Sequence, residues 1–198
     1  MRKYLMFLTA ALLLITKQDL FSQNSDLAVV LYESSVNKVL KAIGSFSGEN
    51  EYKTFLLSGK YKWTATDSKV TLQENKARFT SNIKVEVGSL SYTDEVEGEI
   101  KVSYNQQKNK LELKLVTAIF EIYTKVLGQK IVVNRIDLAD FYKDPLEFDG
   151  PLAYQSEMPF SMPDNTVKKI AAKIKKCTIL ILPLKIIMNA DLDFCEVK

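Results

Sequence analysis

The sequence has no histidine, one tryptophan and two cysteines, and its seven glycines stand singly. Without histidine there is no Ser-His-Asp or Cys-His nucleophile and no histidine-containing metal site. Two cysteines cannot build a four-cysteine zinc centre. Isolated glycines make neither a phosphate loop nor a dinucleotide fingerprint. Charge of one sign is also lacking: 27 basic residues stand against 24 acidic ones, which gives no argument for nucleic acid as a partner. No enzyme class with a recognisable motif survives these absences, and no cofactor is expected.

What is present begins with a targeting pattern. Arg2-Lys3 precedes an apolar stretch from Tyr4 to Ile15, followed by polar residues up to Phe21-Ser22-Gln23. A stretch of this length is too short to span a bilayer comfortably, so residues 1–22 read as a secretory signal and 23–198 as one domain. An uncleaved anchor is the alternative. Removing residues 1–22 takes three of the 27 basic residues and one of the 24 acidic ones, leaving 24 against 23. The expected location is periplasmic or extracellular. An oxidising compartment favours pairing Cys177 with Cys195. However, a hairpin about Pro183-Leu184 places Cys177 opposite Ala190, so a bridge needs a bulge or a longer crossing.

The longest regular pattern runs from Ala77 to Tyr123. Ala77, Phe79, Ser81, Ile83, Val85 and Val87 alternate with polar residues, and so do Leu90, Tyr92, Asp94, Val96, Gly98, Ile100, Val102 and Tyr104. Period-two alternation marks half-buried antiparallel strands. Gly88-Ser89 suits a II′ hairpin turn. It puts Val87 opposite Leu90, Val85 opposite Tyr92, Ser81 opposite Val96 and Phe79 opposite Gly98. Closing the polar run Asn105 to Lys110 puts Tyr104 opposite Leu111, Val102 opposite Leu113, Ile100 opposite Leu115 and Val96 opposite Ile119. Gly98 then leaves a gap between Phe79 and Thr117. The same count opposes Asp94 and Glu121 on the apolar side, which is unfavourable. The apolar face should therefore end near Val96, or a bulge should intervene.

Elsewhere, Asp26 to Tyr32 reads as either a short strand or the first turns of a helix. Val36, Val39, Leu40 and Ile43 share a helical face, with Ser34 as N-cap and Gly44 as stop. This helix is the candidate cover for the sheet. Ser45 to Asn50 reads as loop. Tyr61, Trp63 and Ala65 begin another strand, and an Asn75-Lys76 turn would lay Leu72 against Phe79. Val116, Ala118, Phe120 and Ile122 make the third strand apolar on its second face, as if that end were covered on both sides. A further strand, Lys130 to Leu138, follows Gly128-Gln129. Phe141 to Pro163 reads as loop with short extended pieces. Thr166 to Lys176 has helical spacing, but the Pro163-Asp164-Asn165 turn and the lack of a helix stop favour strand.

Two constellations remain. Asp137, Asp140, Asp144, Glu147 and Asp149 offer oxygen ligands for calcium, or a carboxylate pair for hydrolysis. Their spacing matches no EF-hand and Pro145 interrupts it, so a solvated acidic loop is the plainer reading and no metal site is assigned. The second is apolar: Val36, Val39, Leu40, Ile43, Trp63, Phe79, Val96, Ile100, Val102, Leu113 and Leu115. It is either a packed core or the lining of a hydrophobic cavity for an apolar ligand.

The order of these features resembles the tubular lipid-binding (TULIP-like) superfamily, which includes bactericidal permeability-increasing-type domains and small bacterial periplasmic relatives. The resemblance rests on the pattern of Glu33-Ser34-Ser35-Val36-Asn37-Lys38-Val39-Leu40, the meander from Tyr61 to Tyr123, Ile136 to Tyr142, and the closing hairpin at Leu182 to Lys185. It implies an α+β fold, a long curved antiparallel sheet wrapped against one amphipathic helix, with lipid held between them. The expected function is thus a non-enzymatic exported protein that binds a lipid or other hydrophobic molecule, with the envelope membrane surface as a further partner. The alternatives are an all-β envelope structural or adhesion module with a dry core, and a carboxylate- or calcium-dependent hydrolase.

Overall fold

The computed structural model describes residues 25–53, 55, 58–151 and 158–197; the expected signal, residues 1–22, lies outside them. In chain order the elements are β1 (Leu27–Tyr32), α1 (Glu33–Ile43), β2 (Phe46–Lys53), β3 (Ser58–Gln73), β4 (Lys76–Val87), β5 (Leu90–Asn105), β6 (Lys110–Thr117), β7 (Ile119–Val126), β8 (Gln129–Asp137), a 3-10 turn (Leu138–Asp140), β9 (Leu146–Asp149), β10 (Met158–Ser161), β11 (Val167–Leu182) and β12 (Lys185–Val197). Of the described residues, strand accounts for 73% and helix for 9%, in a curled antiparallel half-barrel. The α+β expectation, a long sheet wrapped against an amphipathic helix, is therefore overturned.

The strands form a six-stranded sheet in the order β2-β3-β4-β5-β6-β9, a four-stranded sheet β1-β12-β11-β10, and the ribbon β7-β8. Within the six-stranded sheet the central register is the one the turns dictate. Val87 faces Leu90, Ser81 faces Val96 and Phe79 faces Gly98, while Tyr104 faces Leu111 and Ile100 faces Leu115. Gly88 has φ +58°, as the first position of a II′ turn requires. The β3–β4 turn is Glu74-Asn75, not Asn75-Lys76, so Leu72 meets Ala77 and Val70 meets Phe79. The slip is by two residues, and the same side chains stay inward. Similarly, Leu127-Gly128 makes the β7–β8 turn, with φ of 51° and 82°, one residue earlier than expected.

The third strand does not continue to Tyr123. It breaks at Ala118, whose N–H is taken by Asp137 Oδ1 at 2.7 Å and whose carbonyl accepts from Leu138 N at 2.9 Å. With Ala118 held by the 3-10 turn, the ladder to β5 stops at Thr117. Val96 does not meet Ile119, and Asp94 and Glu121 are not opposed. Instead the buried phase switches from Leu111, Leu113 and Leu115 to Ala118, Phe120 and Ile122. The double-faced apolar run is a corner between sheets, and it is not covered on both sides: Val116 and Ile119 remain exposed at 50% and 57%. Nor is Gly98 a gap. A Cβ there would lie 2.5 Å from the Thr117 carbonyl oxygen and 2.8 Å from Ala118 Cβ. Glycine is needed because the corner comes this close.

Helix α1 is short and sits at one end of the sheet. Its N-cap is Tyr32, not Ser34, while Gly44 ends it as expected, at φ 77°. Only Val36 and Leu40 are buried. Beyond Ala65, β3 has lost β2 as a partner, and α1 replaces it. Asn37 accepts from Val70 N at 2.7 Å and donates to Val70 O at 2.9 Å, and Glu33 accepts from Leu72 N at 2.7 Å. Residues four apart lie on one helical face. Here that face binds alternate residues of a strand edge.

From Phe46 on, the supposed loop Ser45 to Asn50 is the start of β2. Its period is hidden because Gly48 occupies the inward position under Trp63, where a Cβ would come within 2.8 Å of the indole. The stretch Thr166 to Lys176 is strand from Val167 on, part of β11, as the turn chemistry favours.

Candidate functional site

On the inner side of the sheet, beneath Leu40 of α1, the interior is nearly filled. Leu40, Val70, Phe79, Leu113 and Leu115 bound a void of about 20 Å³, roughly room for one water. Of the expected lining residues, Val36, Leu40, Phe79, Val96, Ile100, Leu113 and Leu115 are buried in the core. Trp63 is 2% exposed at the other end of the sheet. Its ring meets Phe46 at 5.7 Å, Phe120 at 5.5 Å and Phe141 at 4.9 Å. It is a core aromatic. Val39 and Ile43 turn to solvent at 37% and 48% exposure, so they line nothing inward.

The sheet does carry a groove. It has a volume of about 680 Å³ and runs past the β3–β4 turn, the Gly98 to Val102 part of β5, and Ile181 of β11. Its apolar contributions come from Ala77, Ile100, Val102 and Ile181, and its charged ones from Lys76, Arg78, Glu97 and Glu99. Arg78 and Glu97 form an ion pair at 3.6 Å. Two expected residues, Ile100 and Val102, are thus brought to this groove, and the other nine are not. Ile181 was not legible as a site residue, because alternation alone does not say which sheet a β11 side chain will face.

A second groove of about 490 Å³, less polar than the first, lies between the C-terminal turn of α1 and the bulge at Asp67-Ser68, with the expected residue Leu40 and the lysines Lys41 and Lys69 on its walls.

Three of the five acidic residues make structural contacts. Asp137 caps the 3-10 turn, accepting from Ala139 N at 3.0 Å as well as from Ala118. Glu147 pairs with Lys108 at 3.2 Å, and Asp149 pairs with Lys110. Among the described residues no three His, Cys, Asp or Glu side chains are placed to hold a metal ion.

Both thiols are free. Cys177 faces Ala190, as the hairpin count requires, while Cys195 faces Ala171. Six residues of β11 separate those rungs, roughly 20 Å at about 3.3 Å per residue. That is far beyond disulfide reach, so the Cys177–Cys195 bridge is not formed. Burial pushes the Cys177 thiol up from its ordinary value, the opposite of what an activated nucleophile needs.

No protein-family model matches the chain, and comparison with curated proteins finds no match either.

Proposed function

We propose that this is an exported, non-enzymatic interaction module of the cell envelope whose core is dry and whose recognition takes place on its outside. The observation that carries this reading is the filled interior: the void beside Leu40 and Phe79 has no room for an acyl chain. The N-terminal Arg2-Lys3 and the apolar stretch after it support export. The absence of histidine supports a non-enzymatic role. Native mass spectrometry and solvent extraction of the purified protein test the reading. The expected result is the mass of the bare chain, and a stoichiometric lipid would overturn it. Thermal stability unchanged by calcium or chelator is expected as well, and stabilisation by calcium would revive the hydrolase reading.

A second reading keeps a hydrophobic ligand, as the TULIP-like resemblance implies, but moves it to the groove at Ile100, Val102 and Ile181. What favours it is size. About 680 Å³ lies within the range of about 300–1,000 Å³ for small-molecule sites. Under this reading Val102→Asp should abolish lipid uptake, at some cost in stability because the half-buried Val102 packs against the core.

A further inference from the structure

Several outer strand edges among the described residues are defended. The edge of β2 carries Glu49, Glu51 and Lys53. β9 has four residues, two of them Glu147 and Asp149, and β10 is equally short and contains Pro159. The ribbon strands bear Glu121, Lys125, Lys130 and Arg135. Beyond Ala65 the edge of β3 is bound by Glu33 and Asn37. Charges, proline, short length and a covering helix are the usual devices against pairing with another chain. β1, Leu-Ala-Val-Val-Leu-Tyr, has none of them, yet it stands at the edge of its sheet.

The edge is open to solvent. Leu27, Val29 and Leu31 point inward but stay partly exposed, whereas Ile186, Met188 and Ala190 on neighbouring β12 are all 0% exposed. On the outer face, Val30 lies beside Ile187, and Ile187 beside Leu180. This apolar row gives the proximal part of the sheet apolar residues on both faces, the composition of strands covered on both sides.

We infer that β1 pairs with β1 of a second copy of this chain, antiparallel about a two-fold axis. Charge decides the occupant. In an isologous pair each residue meets residues of its own strand. Two β2 edges would oppose Glu49 and Glu51 to their own kind, and two β9 edges would do the same with Glu147 and Asp149. Two β1 edges oppose no charges at all. Ala28, Val30 and Tyr32 of one copy would lie beside those of the other, and apolar and aromatic cross-strand neighbours support a sheet. The edge backbone groups would gain partners, and the four-stranded sheets would join into one. This holds whether or not a ligand occupies the groove.

Sedimentation and light scattering test it, on protein purified after export of the full chain, over a concentration series. The expected result is twice the mass of one chain, falling to one on dilution, with slowed amide exchange in Leu27 to Tyr32 in the dimer. Val30→Lys should give a monomer at every concentration with unchanged circular dichroism. If that variant misfolds, Ala28→Lys, also at an exposed position, takes its place. A wild-type monomer throughout overturns the inference, whether it is free in solution or bound to anionic vesicles through this face. So does a dimer that survives the lysine substitution or protects other amides instead.

Discussion

At one end of the curled sheet, Trp63 is enclosed by the rings of Phe46, Phe120 and Phe141. At the other end, α1 contributes only Val36 and Leu40 to the core and is fixed by the side chains of Glu33 and Asn37 on the β3 backbone. The first closure is non-directional and rests on buried apolar area. The second is directional and depends on a few hydrogen bonds at a part-buried edge. Large aromatics supply much of a core's stabilisation, whereas a single amide bond contributes little net but is costly to lose when its partner cannot reach water. The two ends should therefore differ in how they fail.

The largest effect is expected at the aromatic end. Trp63→Ala should cost about 3–5 kcal/mol, the range for emptying a large aromatic site. Gly48 and the neighbouring rings cannot collapse into the space without bending β2. The check is the urea midpoint at constant slope, and a shift no larger than that of a surface variant would show that the rings are not the closure.

The same contrast explains what the sequence disclosed. The registers of β4, β5 and the first part of β6 are set by local devices: Gly88-Ser89, the Asn105 to Lys110 run, and alternation whose slippage by one residue would expose the whole face. Trp63 was identifiable as core by its size. The break at Ala118 was not, because it depends on the side chain of Asp137, nineteen residues away at the end of β8, which takes the Ala118 N–H and caps the next turn. The clash counted between Asp94 and Glu121 was nevertheless its trace, since some irregularity had to intervene. β2 was hidden because its inward position is the glycine required by the indole. The role of α1 was misread because amphipathicity predicts a buried face but not its polar neighbours. Asn37 and Glu33 beside Val36 and Leu40 were the available signal, yet a strand edge in need of partners is visible only in three dimensions. For the site, Ile100 and Val102 were legible as inward residues of one strand. Ile181 and the groove it closes depend on how β11 crosses the sheet.

A smaller effect is expected at the helix end. Asn37→Ala removes the partners of both the N–H and the C=O of Val70, and should cost about 1–3 kcal/mol for unsatisfied part-buried backbone groups. Asn37→Asp keeps an acceptor for the Val70 N–H but loses the donor, so its cost should fall between that of Ala and zero. Hydrogen exchange adds a local readout: the Val70 and Leu72 amides should exchange faster in the Ala variant while those of Val85 and Val87 stay protected. If all four respond alike, the helix end is not a separate closure.

The smallest effect concerns the joint between the aromatic end and the β7-β8 ribbon. The Tyr92 hydroxyl donates to the Glu121 carbonyl at 3.2 Å and accepts from Tyr123 N–H at 2.8 Å, while its ring stacks on Tyr123 at 4.0 Å. Burial pushes its pKa from the ordinary 10.0 up to about 12, with the neighbouring Asp94 and Glu121 charges acting in the same direction and the Tyr123 N–H opposing them. Because the folded value is the higher one, the folded chain holds this proton after the unfolded chain has released it. The contribution is fully present below pH 10.0 and is lost as pH rises towards about 12. The discriminating measurement compares two melting curves over that range. Wild type should lose stability more steeply than Tyr92→Phe, which has no hydroxyl to ionise but starts lower because Tyr123 N–H has lost its acceptor. Parallel curves would mean that the ribbon is held by ring stacking alone, and the aromatic end would then be non-directional throughout.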